Sequence, residues 1–254
     1  MEIFNWNPDF ELLEIFPERI YEDLTLLYHG TSVLYSDEIE QNGFQINHSP
    51  FSTESLGEIL DVLADLGEPS NFNRNNPFQT NFNSAGAIDH FLFHLPTHPI
   101  SFTASGISAL NYANGQSKGG QIVGKISRAL AQIEEFIDLI PIRDIRKENL
   151  INRYNNIFNL KDSCDEIQNN PGVVYAIKPT RELLENLRYD HDVIFSDANI
   201  SYESIIAKVE IDFDAMLPEN LQDLANTKVR SHFNNPRSIG NFLIKKHLNS
   251  DQEE

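Results

Sequence analysis

The amino-acid sequence predicts an α+β fold in which short strands and short helices are mixed. Short apolar runs bounded by Gly, Pro, Asn or Ser are typical of strands, and segments of helical periodicity separate them irregularly. Neither a regular strand–helix–strand alternation nor an internal repeat is visible. A doubly wound parallel sheet and a repeat architecture are therefore both disfavoured.

Composition limits the classes of function. The chain has 254 residues, of which 40% are hydrophobic, and this is enough to bury a substantial core. Its 38 Asp and Glu against 19 Lys and Arg give a net charge of −19. Such a surface repels nucleic-acid phosphates and anionic lipids, so we expect neither nucleic acid nor a membrane as a partner.

Targeting signals are not apparent in the sequence. The first residues are acidic where a secretory signal requires basic ones, and no apolar run approaches the roughly 20 residues of a transmembrane helix. One cysteine, Cys164, excludes an internal disulfide framework, and no local signature marks it as a nucleophile. The sequence therefore predicts a soluble, cytoplasmic protein.

The N-terminal part is predicted to be helix, strand and helix in that order. Residues 9–24 mix acids with apolar residues at helical intervals, and we interpret 1–24 as a helical lead-in. The stretch 25–30, TLLYHG, is an apolar run closed by glycine and is predicted to be a strand. Residues 32–44 place apolar side chains on one helical face and end near an Asn-Gly pair, which is a helix stop.

The middle of the chain is predicted to contain more helix than strand. Residues 54–66 read as an amphipathic helix, and the Asn-rich stretch 70–86 reads as a loop. A strand is expected at 99–105, a short helix at 106–115 and a longer helix at 125–139.

The C-terminal part returns to strands. Residues 171–179, 192–196 and 203–213 are rich in β-branched and apolar side chains, and the last of these alternates well. Residues 214–254 are polar, and we interpret them as a helical extension with an acidic tail.

The tip of the first predicted strand has the composition of a binding site. It ends in His29 and Gly30, followed by the hydroxyls of Thr31 and Ser32. An imidazole offers a donor and an acceptor in one rigid ring, and glycine lets a flat ligand approach the backbone. The two hydroxyls either add contacts to a ligand or cap the following helix. The alternative is a strand-ending turn whose histidine lies at the edge of the core.

Three short blocks of sequence follow one another in a characteristic order. They are LYHGTS at 27–32, ISFTASGISALNYA at 100–113, and a late strand leading into DVIFSDANISYESIIAKVEI at 192–211. Together they resemble the ADP-ribosyltransferase superfamily, and most of all the branch with a histidine in its first motif. That branch contains the poly(ADP-ribose) polymerases and the diphtheria-type toxins.

This resemblance implies a fold and a domain organisation. The fold would be a split β-sandwich of two small, mainly antiparallel sheets with peripheral helices. The domain would cover 25–213, with an insertion at 45–98 that covers the site or contacts the acceptor.

The resemblance also assigns residues to NAD, which would be the substrate. His29 would bond a ribose hydroxyl, the backbone of Gly30 would hold the nicotinamide carboxamide, and Tyr112 would stack on the nicotinamide ring. The alternative for Tyr112 is plain packing. Further residues implied in the pocket are Thr31, Ser101 and Thr103.

The third block departs from the family, which has a catalytic glutamate at the start of a late strand. Here Asp192 or His191 takes that place, and Asp190 lies just before them. Cleavage of the nicotinamide–ribose bond builds positive charge on the sugar, and a carboxylate at this position would stabilise it. The alternative is that both aspartates are solvated loop acids.

The function implied is transfer of ADP-ribose from NAD to a macromolecular acceptor, most plainly a protein side chain. Lone transferase domains are typical of toxins and delivered effectors, which implies entry into a target-cell cytosol by a non-classical route. Two alternatives stay open. One is a module that binds NAD or ADP-ribose without turnover, favoured by the aspartate in place of glutamate. The other is an acidic interaction protein that engages a basic partner.

Local basic residues are needed if an acidic protein is to bind a pyrophosphate. The candidates are Arg74, Lys118, Lys125 and Arg128. The glycine-rich run at 119–126 lacks the Ser or Thr that a phosphate-binding loop requires after its lysine, so nucleoside-triphosphate hydrolysis is disfavoured.

No metal site is predicted. His90, His94 and His98 are spaced four apart, but the glutamate of the HExxH motif is missing and Pro96 would end a helix before the third histidine. We interpret this segment as packed structure.

Overall fold

The computed structural model describes residues 1–5, 15–21, 26–46, 49, 51–66, 99–103, 106–114, 118–141, 145–185, 187–190 and 193–211. These residues form an α+β fold with helices and two small, mostly antiparallel sheets, as predicted. Within the described ranges, no helix has the length and apolar character needed to cross a membrane.

The secondary structure elements are as follows. The strands are β1 (Glu2–Asn5), β2 (Leu27–Ser32), β3 (Ile100–Phe102), β4 (Gly172–Ile177), β5 (Leu187–Asp190), β6 (Val193–Ser196) and β7 (Ile205–Ile211). The α-helices are α1 (Glu18–Tyr21), α2 (Ser36–Asn42), α3 (Thr53–Leu66), α4 (Gly106–Ala113), α5 (Gln121–Leu139), α6 (Ile145–Ile157), α7 (Asn159–Asn169) and α8 (Arg181–Glu185). Single 3₁₀ turns lie at Val33–Tyr35 and Tyr202–Ser204.

The two sheets meet beside β2. The first sheet has the order β1-β7-β4-β2, with β1 parallel to β7 and the remaining pairs antiparallel. The second sheet has the order β3-β6-β5 and is antiparallel throughout. A single bridge between Tyr28 and Thr103, with N···O distances of 2.8 and 2.9 Å, joins β2 to β3. The sheets are thus continuous at this point, and they diverge on the side of His29 and Gly30, where no further pairing of β2 with β3 follows among the described residues.

Every predicted strand overlaps an observed one, although β2 continues to Ser32, two residues beyond the end predicted at Gly30. Two strands of the described residues were not predicted. β1 lies inside the predicted helical lead-in, in which 18–21 is helical. β5 lies between the predicted strands at 171–179 and 192–196. The division of the chain into domains stays a prediction, and its C-terminal extension lies outside the described residues.

Four helices, α3, α5, α6 and α7, form a cluster with a hydrophobic core of its own, which we call the helical cluster. The helices α6 and α7 were not predicted, although each carries apolar residues at i, i+4 and i+7. The buried members of this pattern are Leu150, Tyr154 and Ile157 on α6, and Leu160, Cys164 and Ile167 on α7. The cluster therefore draws on part of the predicted insertion, α3, and on a second span from 121 to 169.

An arginine on α6 ties two helices of the cluster together. Arg153 Nε lies 2.8 Å from Glu58 on α3, and the guanidinium also pairs with Asp65 and lies 3.8 Å from Asp61. The three acids repeat at helical spacing, so they share one face of α3 and would repel one another without the arginine.

Lys118 joins the segment before α5 to the C-terminal end of α7. Its side chain is buried, with 1% exposed, and Nζ donates to the carbonyls of Gln168 at 2.8 Å and Asn170 at 2.7 Å. These carbonyls belong to the C-terminal turn of α7, where no intrahelical donors remain. Burial lowers the pKa of Lys118 to about 8. The structure thus uses this lysine as a C-terminal helix cap rather than leaving it accessible to a phosphate.

We predict that Lys118→Met lowers the free energy of unfolding by about 1–3 kcal/mol, because two half-buried backbone carbonyls lose the donor that Lys118 supplies. Lys125→Met is the matched control. Lys125 lies on α5 with a half-buried side chain, so its loss should change stability by less than about 0.5 kcal/mol. Urea denaturation followed by circular dichroism measures both variants. Equal midpoints for the two would contradict the capping role.

Candidate functional site

His29 lies in the middle of β2, directly opposite Tyr175 of β4. Its side chain is half-buried, and Nδ1 lies 2.7 Å from the backbone carbonyl oxygen of Ser101 on β3. A carbonyl only accepts, so Nδ1 carries the proton and donates. The ring also packs edge-on against Phe44, with centroids 4.8 Å apart, and against Phe102 at 5.9 Å.

The surroundings keep this imidazole neutral. Burial lowers the pKa of His29 below its usual range, and the hydrogen bond to the Ser101 carbonyl raises the pKa and offsets part of that effect. In the neutral ring with its proton on Nδ1, Nε2 is a hydrogen-bond acceptor. Such a nitrogen is suited to a hydroxyl group of a ligand.

We predict a pH dependence of stability from the same shift. Because the pKa of His29 is lower in the folded state, the unfolded chain takes up its proton first as the pH falls. The contribution of His29 to the free energy of unfolding should be complete above about pH 6.5, and it should be lost as the pH falls through the folded-state pKa. Urea denaturation at pH 7.5 and 5.0 should therefore show a larger loss for the wild type than for His29→Gln, which does not titrate. Identical losses in both proteins would contradict the shift.

Gly30 presents its backbone polar groups to the place where the two sheets diverge. In an antiparallel strand the backbone groups of successive residues point to opposite sides. Those of Tyr28 point to β3, with which Tyr28 exchanges two hydrogen bonds, so those of His29 point to β4 and those of Gly30 again toward β3. Among the described residues, β3 pairs with β2 only at Tyr28. One donor and one acceptor of Gly30 therefore face this divergence next to His29.

The packing of α4 on β2 requires that residue 30 have no side chain. A Cβ at Gly30 would lie 1.8 Å from the carbonyl oxygen of Ala109 on α4, and a Cβ at Gly172 would lie 1.7 Å from that of Ala113. Gly172 lies on β4, opposite Ser32. The two glycines thus let α4 rest directly on the backbone of β2 and β4, and the sequence had suggested only ligand approach.

Tyr112 is carried by this closely docked helix. It precedes Ala113 on α4, and its side chain is half-buried. The glycine pair fixes the height of α4 above the first sheet and with it the position of the Tyr112 backbone. Stacking of its ring on a nicotinamide stays a prediction, as does the alternative of plain packing.

The hydroxyl residues implied in the pocket differ in their surroundings. The side chain of Ser101 is exposed while its carbonyl binds His29, whereas Thr31 and Thr103 are buried, with 4% and 5% exposed. Ser32 occupies the N-cap position of the 3₁₀ turn, but its side chain makes no capping hydrogen bond. Its buried Oγ has no hydrogen-bond partner among the described residues. The capping alternative for Ser32 is therefore wrong.

The strand that follows the predicted catalytic acids, β6, is separated from β2 and His29 by one strand, β3. β6 pairs with β3 so that Ile194 is opposite Phe102, and β3 bridges to β2 at Tyr28. Neighbouring strands are about 4.8 Å apart, so the start of β6 lies two spacings, roughly 10 Å, from the backbone of β2. The order β2, β3, β6 thus brings the three blocks of the sequence to adjacent strands.

The acids themselves are not all within the described part of the chain. Asp190 ends β5, and its backbone pairs with Val193 at the start of β6. Asp192 and His191 lie outside the described residues, so their roles stay predictions. The same holds for Arg74, His90, His94 and His98.

The remaining candidates have surroundings that limit their roles. Cys164 is fully buried in the helical cluster, and burial raises the pKa of its thiol to about 12, which agrees with a structural residue. Arg128 is exposed and engaged within the protein, and Lys125 is half-buried. Over the described ranges, no group of three or more His, Cys, Asp and Glu side chains is arranged to hold a metal ion.

Comparisons with known proteins leave the family open. No protein-family model and no solved structure matches the chain. The chain is 29% identical over 144 residues to UDP-N-acetylenolpyruvoylglucosamine reductase of Fusobacterium nucleatum subsp. nucleatum. That alignment covers 57% of this chain and 45% of the reductase, so the chain spans less than half the length of this relative.

Proposed function

We propose that this protein is an ADP-ribosyltransferase that uses NAD as its substrate and transfers ADP-ribose to a protein side chain. The observation that carries the proposal is the pairing of two neighbours on β2. His29 is a neutral imidazole held through Nδ1 by the carbonyl of Ser101, and Gly30 turns a backbone donor and acceptor toward the divergence of the sheets.

These two neighbours match the two halves of nicotinamide riboside. The Nε2 acceptor of His29 is suited to a ribose hydroxyl, and a carboxamide needs one donor and one acceptor, which the backbone of Gly30 supplies. An aromatic ring such as Tyr112 stacks favourably on the cationic pyridinium. Ser101, Thr31 and Thr103 complete the proposed pocket.

The reaction breaks one bond and forms one. The bond between the nicotinamide nitrogen and C1 of the ribose breaks, and its electron pair leaves with nicotinamide. The ribosyl cation that remains is stabilised by the carboxylate of Asp192, or of Asp190, through the ribose 2′-hydroxyl. A nucleophilic atom of the acceptor then bonds to C1 and releases its proton to the solvent.

The setting proposed for this activity is the cytosol, with delivery to a target cell as a toxin or effector. It rests on the resemblance to the ADP-ribosyltransferases alone. The net charge of −19 favours basic acceptor surfaces over nucleic acid.

Labelled NAD tests the proposal. The full chain is incubated with a cell lysate and NAD that carries a label on the adenylate half, and free nicotinamide is measured in parallel. Label on a protein, together with an equal yield of nicotinamide, supports transfer. Saturable NAD binding without nicotinamide release would leave only the binding-module alternative. Neither binding nor release would overturn the NAD site and favour an interaction protein.

A reductase is the second candidate, and the likeness to UDP-N-acetylenolpyruvoylglucosamine reductase is what favours it. Calorimetric titration of the chain with UDP-N-acetylenolpyruvoylglucosamine separates the two candidates. Saturable binding of that compound without binding of NAD would favour the reductase.

A further inference from the structure

We propose that Phe44 is a positioning residue that holds the imidazole of His29 in the orientation required to accept a ribose hydroxyl. Phe44 itself need not touch NAD. The expected effect on NAD turnover rests on the proposed function. The orientation of the His29 ring concerns the protein without ligand.

The ring of Phe44 packs edge-on against the imidazole, in addition to the hydrogen bond that Nδ1 makes. The ring centroids lie 4.8 Å apart at an interplanar angle of 63°, and Phe44 is 4% exposed. Nδ1 of His29 is fixed by the Ser101 carbonyl at 2.7 Å. A ring held by one hydrogen bond can still tilt about it, and edge contact with a second ring removes that freedom.

Phe44 is itself held by other aromatic rings. Its centroid lies 5.6 Å from that of Tyr175 and 6.0 Å from that of Phe102, with both pairs close to perpendicular. Phe102 also touches His29, at 5.9 Å. The imidazole therefore adjoins a packed aromatic group rather than a single mobile side chain.

The backbone at Phe44 is pinned by a segment distant in sequence. Phe44 and Ile200 exchange two backbone hydrogen bonds, both 2.9 Å long. Gly43 adopts a φ of +71°, and a Cβ there would lie 2.0 Å from the carbonyl oxygen of Ile200, so only glycine permits this approach. The Asn199 side chain accepts from the backbone N–H of Ile46 at 2.9 Å.

The helix that leads to Phe44 is fastened to the sheet beneath His29. The hydroxyl of Tyr175 donates to Ser36 Oγ at 3.0 Å at the start of α2, and Lys208 Nζ lies 2.6 Å from Glu40 near its end. Tyr175 is paired with His29 on one side and with Lys208 on the other. His29, Tyr175 and Lys208 are thus cross-strand neighbours in the first sheet. The last two hold α2, which leads to Phe44.

Phe44→Leu tests the proposal because it keeps an apolar side chain but removes the ring edge. Phe51→Leu is the matched control, since Phe51 is equally buried, with 4% exposed, and belongs to the helical cluster. Asn199→Ala is a milder variant that removes only the bond to Ile46. It gives a second measurement if Phe44→Leu does not fold.

Two readouts are measured on each protein. ¹⁵N spectra of histidine-labelled protein report the tautomer of His29, whose signal is identified by its loss in His29→Gln. We expect a single Nδ1–H tautomer in the wild type and in Phe51→Leu, and a tautomer mixture in Phe44→Leu. NAD turnover should fall about 10- to 100-fold in Phe44→Leu, mainly in kcat, and about twofold to fivefold in Asn199→Ala.

The outcomes separate this inference from the proposed function. An unchanged tautomer in both Phe44→Leu and Asn199→Ala would overturn the positioning role, whatever the enzyme does. A wild type without NAD turnover but with a tautomer that depends on Phe44 would support the positioning role and overturn the transferase. An altered tautomer with unchanged turnover would overturn the catalytic consequence.

Discussion

Replacing Gly172 by alanine should lower the free energy of unfolding by roughly 3 kcal/mol. The new Cβ would lie 1.7 Å from the carbonyl oxygen of Ala113, 2.6 Å from its carbonyl carbon and 3.1 Å from its Cα. All three atoms belong to the backbone of α4, so no rotamer change relieves the overlap and the helix has to move away from the sheet. Gly30→Ala should have a similar effect, because its Cβ would lie 1.8 Å from the carbonyl oxygen of Ala109.

If either substitution displaces α4, NAD binding should become weaker and the protein less stable. Ala109 and Ala113 are buried against β2 and β4, and Tyr112 lies between them in sequence. If Tyr112 stacks on nicotinamide, a displaced α4 should weaken NAD binding in the fraction of protein that still folds. Both effects are expected from one backbone contact.

Gly57→Ala is the control for this prediction. Gly57 lies inside α3, and a Cβ there would meet nothing within 4 Å. Alanine favours a helix over glycine by about 1 kcal/mol at such a position, so this variant should be as stable as the wild type or more stable. Urea denaturation compares the three variants. Wild-type midpoints for Gly30→Ala and Gly172→Ala would show that α4 does not rest on these strands.

The strands that the sequence predicts are those whose own residue pattern is typical of a strand, without reference to the strands with which they pair. β4 reads GVVYAI and is buried along its whole length, and β7 alternates apolar and polar residues from Ala207 to Ile211. β1 reads EIFN and has no such signal, because its stability comes from pairing with β7 at the far end of the chain. β5 reads LRYD and pairs with β6, the next strand in the chain. Cross-strand pairing, whether with a distant strand or with the next one, is not visible in the residue pattern of a single strand.

The helices α6 and α7 illustrate a different limit. Their buried positions follow the helical period, with Leu150, Tyr154 and Ile157 on one and Leu160, Cys164 and Ile167 on the other. The pattern is readable in the sequence, but the residues between these positions are mostly polar and hide it. The sequence pattern does not show which helices these buried faces pack against. They form a hydrophobic core only together with α3 and α5.

The sequence singles out candidate residues for the site, but it does not predict the contacts that these residues make. His29 and Ser101 were both singled out, yet their hydrogen bond uses a backbone carbonyl and joins residues 72 positions apart. Phe44 was predicted only as the end of a helical segment, although it packs on His29. Lys118 looked like a partner for phosphate, and its buried position beside the C-terminal turn of α7 follows only from the fold. A side chain's type indicates what it can bind, whereas its partner is fixed by strand register and helix packing.

His29→Ala should reduce NAD turnover about 100- to 1,000-fold, by comparison with the loss of other preorganised hydrogen-bonding groups in enzymes. The variant removes the Nε2 acceptor and leaves the carbonyl of Ser101 without its donor. His29→Gln should recover part of the loss, because an amide supplies a donor and an acceptor but on a more flexible chain. NAD affinity, measured by calorimetry, should fall less than kcat if the hydroxyl bond strengthens as the sugar gains charge.

The interpretation of this result depends on the variant remaining folded, which its urea midpoint checks directly. Leu139→Ala is a suitable control for turnover, because Leu139 is 72% exposed at the end of α5 and belongs to neither sheet. A folded His29→Ala protein that cleaves NAD at the wild-type rate would mean that the dinucleotide does not bind beside His29 on β2. In that case the neutral imidazole would be a packing feature of the aromatic group around Phe44. If kcat/KM falls because KM rises while kcat is unchanged, His29 stabilises bound NAD equally in the ground state and in the transition state.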